Sequence, residues 1–190
     1  FHATKVLNTF EGGAIVCHDA KMKKRIDDLK NFGFADEVTV VAPGINGKMN
    51  EVQAAFGLLQ LKHIKKAIDR RRKIDAQYRE QLSFVTGIIC PPLSVDVTYN
   101  YSYFPIIVEK DYPLSRDELY DRLRQHGIYA RRYFYPLISE FPMYRSLASS
   151  AISNLPVAWK VASKVICLPI YPDIDFATVD EVCKVIAMRG

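Results

Sequence analysis

Lys5 is the first side chain of this sequence able to do covalent chemistry, because a lysine amine that has lost its proton attacks carbonyl groups. That loss needs burial or a cationic neighbour. His2 lies three residues before it and Glu11-Gly12-Gly13 follows shortly after, so an imidazole is close enough in the chain to relay a proton. A solvated surface lysine has the same spacing. A second constellation is PGINGKMNEVQAAFGLLQL, where Asn46 offers a neutral donor and Lys48 a cation on a loop leading into a helix. Such a loop can hold a phosphate. Ala54, Ala55 and Gly57 are small enough to let another backbone approach the start of that helix, although an ordinary polar loop is equally compatible. A third is the basic run KHIKKAIDRRRK at 62–73, with seven Lys or Arg and one acid. It could grip nucleic acid, but its cations interleave with Ile64, Ala67 and Ile68, the pattern of a solvated helical face. Finally, Arg131, Arg132, Tyr133 and Tyr135 combine charge with stacking surfaces suited to an anionic, ring-bearing ligand, or to a packed aromatic strand.

The elements that position these groups follow from periodicity and punctuation. Gly12 and Gly13 mark a tight passage, and AIVC at 14–17 reads as a short buried strand. Asp19 caps a helix carrying Met22, Ile26 and Leu29, which Asn31 and Gly33 end. A β-rich stretch at 38–41 precedes a turn at Pro43 and Gly44. Asn50 and Gln53 have capping-box spacing, and after Gly57 neither Pro nor Gly interrupts the pattern until Gly87. Leu61, Ile64 and Ile68, then Ile74, Tyr78 and Leu82, predict one long helix bridging two structural units.

After Pro91 and Pro92 the character changes. Residues 103–108 predict a strand in which Pro105 marks an edge or a bulge. Ser115 with Glu118 opens a helix that stops at Gly127. Asn154 and Pro156 start another, 166–170 is a short apolar run, and Thr178 with Glu181 caps the last helix, whose Val179, Val182 and Ile186 share a face. The plan is α/β followed by α+β.

The 190 residues suffice for one full domain or two small ones, and 49% apolar with 25% charged residues excludes wholesale disorder. A formal charge of +5 is only mildly basic. No apolar run approaches the roughly 18–20 residues that span a bilayer, and no secretory signal opens the chain, so the expected location is the cytoplasm. Cys17, Cys90, Cys167 and Cys183 are dispersed, which predicts reduced thiols rather than a disulfide framework or a zinc site. The chain starts on Phe1 and runs without a polar tail into apolar sequence, as expected for a fragment that begins inside a larger domain.

Four blocks, FHATKVLNTFEGGAIVC, GINGKMNEVQAAFGLLQL, GIYARRYFYPL and CLPIYPDI, stand in the order found in the DegT/DnrJ/EryC1/StrS family. The chain resembles these pyridoxal-phosphate-dependent sugar aminotransferases essentially from Phe1 to Gly190, the first two blocks being the more specific. The resemblance implies an α/β chain that is the C-terminal part of an aspartate-aminotransferase-like fold. Residues 1–82 would be the remainder of the large cofactor domain with the long connecting helix, and 83–190 the small domain. Lys5 matches the lysine that bonds the cofactor and shuttles the proton during transamination. Asn46 matches a donor to the cofactor phosphate of the partner subunit, implying a homodimer. Lys48 stands where many members carry Arg, and Gly47 where many carry Tyr, so a cation is kept without its bidentate fork. Tyr133 and Tyr135 fall in the motif that lines the sugar-nucleotide side, and Ile138 replaces a frequent His.

The intact protein would then transfer an amino group, from glutamate, to a nucleoside-diphosphate keto-sugar for polysaccharide or deoxyamino-sugar synthesis. The stacking aromatic, the acid that pairs with the pyridine nitrogen and a phosphate-binding serine precede the lysine in the family. This polypeptide alone is therefore expected to bind the cofactor poorly and to be inactive. Related dehydratases carry His in place of the lysine, and Lys5 speaks against that activity. A non-catalytic sugar-nucleotide binding or regulatory module of the same fold is the alternative.

Overall fold

A computed structural model describes residues 1–188. The chain divides into two compact units, Phe1–Lys65 and Lys66–Gly190, with the boundary inside a helix.

In the first unit, α1 (Ala20–Lys30) starts where the Asp19 carboxylate accepts the Lys21 N–H at 2.9 Å. It closes at Asn31, and the chain reverses through Gly33 at φ +86°, where a Cβ would lie 1.7 Å from the Ala42 carbonyl oxygen. Only glycine fits there. The returning segment is held by isolated bridges, Phe34 to Val40 and Asn31 to Asn46. The β character expected at 38–41 thus amounts to one bridge. The buried strand expected at 14–17 does not form: Ile15 and Val16 are 73% and 85% exposed. A strand needs neighbours for its backbone N–H and C=O groups, and among the described residues none lies alongside this one.

The long helix is present as α2 (Glu51–Leu82), 32 residues. Asn50 Oδ1 accepts the Gln53 N–H at 2.9 Å, half of the anticipated capping box.

The second unit is built on an antiparallel sheet of order β1 (Ile88–Ile89), β2 (Phe104–Val108), β3 (Val165–Leu168). Arg131 adds one bridge to Cys167 on the far side of β3. Phe104, Ile106 and Val108 alternate inward along β2. They meet Ile74, Tyr78 and Leu82 of α2, Leu119 and Leu123 of α3 (Arg116–Gln125), and Val179, Val182 and Ile186 of α5 (Phe176–Ala187) in one apolar core. The short α4 (Pro156–Ala162) leads into β3.

Pro105 is where the pattern-based expectation and the topology both hold. β2 is the central strand, yet Pro105 faces Cys167, whose N–H and C=O are both bonded to Arg131. Its missing N–H therefore lies on the β1 side, and β1 reaches only Ile107 and Val108. Locally, the central strand is an edge.

Ser115 and Glu118 form the complete capping box expected for α3. α4 starts on Pro156 as expected, preceded by Leu155 without a side-chain cap, whereas the start of α5 shifts to Asp175, whose carboxylate accepts the Thr178 N–H at 2.6 Å. The basic run at 62–73 is only partly a solvated face. Arg71 is buried and donates to the Tyr101 and Ile170 carbonyls at 3.2 and 2.8 Å, while Arg70 donates to those of Pro172 and Ile174 at 3.3 and 2.9 Å. All four cysteines are free thiols, Cys167 and Cys183 buried. Among the described residues no helix is long and apolar enough to cross a membrane.

Candidate active site

Within Phe1–Lys65 the structure puts Lys5 and His2 on one β-turn, closed by the Lys5 N–H donating to the His2 carbonyl at 2.9 Å. His2 Nδ1 accepts the Thr4 N–H at 3.3 Å and lies 3.0 Å from Thr4 Oγ1. An acceptor at Nδ1 leaves the ring proton on Nε2, which faces Glu11 Oε1 at 3.5 Å. The imidazole is thus oriented by Thr4 on one side and by a carboxylate on the other. Both Lys5 and His2 are exposed.

What fixes this turn is the first stretch of α2. Gln53 Nε2 donates to the Thr9 and Glu11 carbonyls at 3.3 and 3.1 Å, instead of completing its capping box. Thr9 is buried, donates its hydroxyl to the Glu11 carbonyl and places its methyl against Gly57, where a Cβ would come within 2.8 Å. The small residues were expected to admit another backbone; at Gly57 it is a side-chain methyl, that of Thr9, that comes close. Phe10 holds a left-handed backbone, φ +66°, and stacks on Phe56 with centroids 4.5 Å apart. Such a φ costs a bulky residue of order 1–3 kcal/mol, so the surrounding contacts must over-determine it. Thr9 and Gln53 went unrecognised in the sequence as fasteners of the lysine turn. Their only signal was a small-residue helix start lying against an unexplained polar loop.

Asn46 and Lys48 sit on the loop that enters α2, held against the end of α1. The Ile45 N–H donates to Leu29, the Gly47 N–H to Lys30, and the Phe32 N–H to Ile45. Asn46 is exposed and its backbone bridges Asn31. Lys48 is engaged within the chain: Nζ donates to Asn31 Oδ1 at 2.6 Å and lies 5.0 Å from the centre of the Phe32 ring.

Within Lys66–Gly190 the aromatic and basic segment forms neither a strand nor a loose loop. Arg131 exchanges backbone hydrogen bonds with Cys167, and its Nη1 donates to the Tyr133 hydroxyl at 2.5 Å. Tyr133 packs edge-on against Tyr103 with centroids 5.4 Å apart and tilts onto Phe134 at 4.6 Å. Arg132 donates to Asp117 Oδ1 at 2.7 Å and lies over the Tyr120 ring at 4.3 Å. The buried Arg116 stacks its guanidinium on Tyr135 at 4.5 Å. Burial raises the Asp117 carboxyl, but the two guanidiniums beside it more than offset this and hold it below its ordinary value. Arg116 and Asp117, in the first turn of α3, were not singled out by the sequence pattern.

Residues 1–187 match the model of the DegT/DnrJ/EryC1/StrS aminotransferase family. Over 177 residues the chain is 54% identical to a dTDP-4-amino-4,6-dideoxy-D-glucose transaminase of Escherichia coli, covering 93% of this chain and 48% of that protein. It is 50% identical over 174 residues to the transaminase of the same description from Shigella dysenteriae, covering 92% and 47%. The crystal structure of DesI in the presence of its TDP-sugar product superposes with a TM-score of 0.89 at 34% identity, covering 98% of this chain and 47% of that one. The chain spans about half the length of the relatives it matches.

Proposed function

Because the chain belongs to the DegT/DnrJ/EryC1/StrS aminotransferase family and carries part of its aspartate-aminotransferase-like α/β fold, we propose that it is the C-terminal half of a sugar aminotransferase. The whole enzyme moves an amino group from an amino acid, glutamate in our reading, to C4 of a dTDP-linked 4-keto-6-deoxy sugar. The observation that carries this is the 54% identity to a dTDP-4-amino-4,6-dideoxy-D-glucose transaminase across 93% of the chain. In this reading residues 1–82 complete the large domain, residues 83–190 form the small one, and the active enzyme is a homodimer.

Members of the family use pyridoxal 5'-phosphate, and the residues here suit the part of its site that falls on this chain. An aldehyde needs a primary amine and a phosphate needs neutral or cationic donors. Lys5 presents an exposed amine on a turn fastened to α2, for the cofactor of its own subunit, and Asn46 an exposed carboxamide on the loop that enters α2, for the cofactor of the partner subunit. Bound there, the cofactor supplies an aldehyde that exchanges amines and a conjugated ring that takes up an electron pair. Lys5 would hold it covalently between turnovers, and its amine would take the proton from Cα of glutamate and later deliver one to C4 of the sugar. His2, oriented by Thr4 and Glu11, is placed on the same turn to exchange protons with solvent. Asn46 donates to the cofactor phosphate of the partner subunit. Lys48 gives one of its three donors to Asn31 and meets an anionic substrate with the others. Tyr133 and Tyr135 line the sugar nucleotide.

The test is borohydride reduction of the complete enzyme followed by peptide mapping. Label on Lys5, with glutamate-dependent amination of the dTDP keto-sugar that Lys5→Ala abolishes, is the expected outcome. Label on another side chain, or amination that survives Lys5→Ala, rejects the assignment.

A further inference from the structure

We propose that Asp117 is a positioning residue for nucleotide-sugar binding, acting through Arg132 and Arg116 on Tyr135 and the segment that also carries Tyr133. This rests on the reading above that the two tyrosines line the substrate. Tyr135 is 48% exposed. Two guanidiniums lie over its ring, Arg116 at 4.5 Å and Arg132 at 5.9 Å. One carboxylate oxygen restrains both: Asp117 Oδ1 lies 2.7 Å from Arg132 Nη1 and 2.8 Å from Arg116 Nε. The Arg132 contact is an aligned hydrogen bond, whereas the Arg116 contact is an ion pair, since Arg116 Nε has no aligned acceptor. Arg116 is further pinned by Nη1 donating to the Ala162 carbonyl at 2.9 Å.

The geometry has a direct electrostatic consequence. Arg116 is 5% exposed, and without the carboxylate two like charges would share one aromatic ring with no anion between them. Arg132 is the freer of the two and is the one that would swing away, taking with it the restraint on the chain between Arg131 and Tyr135. Arg131 stays tied to Cys167 through two backbone hydrogen bonds, so the movement is confined to the residues beyond it. Asp117 itself occupies the capped first turn of α3, whose start is fixed by Ser115 and Glu118 and does not need the Asp117 side chain. The carboxylate therefore orients a binding surface rather than holding the helix together.

The experiment is steady-state kinetics of the complete enzyme and its Asp117→Asn and Asp117→Glu variants, with both substrates varied. For Asp117→Asn we expect KM for the dTDP sugar to rise about tenfold, the scale of one charge-assisted hydrogen bond. kcat should stay within about twofold, KM for glutamate should be unchanged, and Asp117→Glu should recover most of the loss. Unchanged sugar KM in Asp117→Asn overturns the proposal, as does an equal rise in both KM values or a loss of kcat alone. A wild-type enzyme that does not aminate the dTDP sugar overturns the functional reading itself, a result distinct from any of these.

Discussion

Four side chains of the Lys66–Gly190 core are held in their protonated forms by burial. Desolvation pushes the Cys167 thiol up to about 11 and the Cys183 thiol up to about 12, from an ordinary value of 9.0. It also raises the phenols of Tyr78 and Tyr112, each of which donates to a backbone carbonyl: Tyr78 to Pro169 at 3.0 Å, Tyr112 to Ile186 at 2.6 Å. A phenolate in either place would set a negative charge against a carbonyl oxygen. The sign is the same for all four groups, because the folded chain binds these protons more tightly than the unfolded one. Their contribution is complete below about pH 9 and is lost as pH climbs through the folded values. Urea denaturation at roughly pH 8 and pH 10.5 should show the midpoint falling at the higher pH, and Tyr78→Phe should shrink the difference. A midpoint that is flat or rises with pH contradicts the burial argument.

Among the elements, the second half of α2 is bound to the segment after β3 by a series of side-chain donors. The carbonyls of Pro169, Ile170, Pro172, Ile174 and Phe176 accept from Tyr78, Arg71, Arg70, Arg70 and Gln77 in turn. Up to Ile174 that segment belongs to no helix or strand, and α2 supplies donors to carbonyls that no ladder serves. Arg71 also supports Tyr101, which carries a left-handed φ of +52°. Arg71→Met keeps the length and removes both donor bonds, leaving two partly buried carbonyls unpaired at a cost of about 2–4 kcal/mol. Arg70→Ala, on a more exposed side chain, should cost less than half of that. Paired urea titrations decide it, and equal losses would show that burial of Arg71 does not set its weight. This series also marks what the sequence could and could not reveal. The helices α1, α2 and α3 were legible from apolar period and caps, and α5 from its period alone, because these are local signals. Arg70 and Arg71 look like a solvated face in the sequence because one partner lies 30 residues away and the others about a hundred, where no spacing rule reaches. The strand expected at 14–17 had the right local composition, but strands are completed by neighbours and composition does not supply one. At the candidate site, Lys5 and Tyr135 stand out in the sequence by type and motif. Gln53 shows locally only as a cap partner, and the contacts of Thr9 with Gly57 and of Asp117 with Arg132 cross the fold, where no local pattern marks them.

At the scale of the whole molecule, the two units differ in what could hold each of them together alone. Among the described residues, every apolar side chain of the buried core falls in Lys66–Gly190. In Phe1–Lys65 the buried residues are Thr9 and Gly33, while Ile15, Val16, Val38, Ile45, Val52 and Leu58 are all more than half exposed. Hydrophobic burial is the main favourable term in folding, and a unit without one fully buried apolar side chain offsets little of the entropy of ordering its chain. Its complete helix, α1, has 11 residues, below the roughly 12–15 at which an isolated helix is even marginal in water. The salt bridges along α1, Lys23 and Lys30 to Asp27 and Lys24 to Asp28, are solvent-screened surface pairs and do not change that balance. Lys66–Gly190, by contrast, has a sheet covered by three helices and is of ordinary domain size. Expressed separately, residues 66–190 should unfold in urea as one cooperative transition with dispersed amide resonances. Residues 1–65 should give a sloping, non-cooperative profile and narrow resonances until a polypeptide covering their apolar surface is added. A cooperative transition in the isolated first unit, or its absence in the second, would mean that burial within each unit does not decide which of them folds alone.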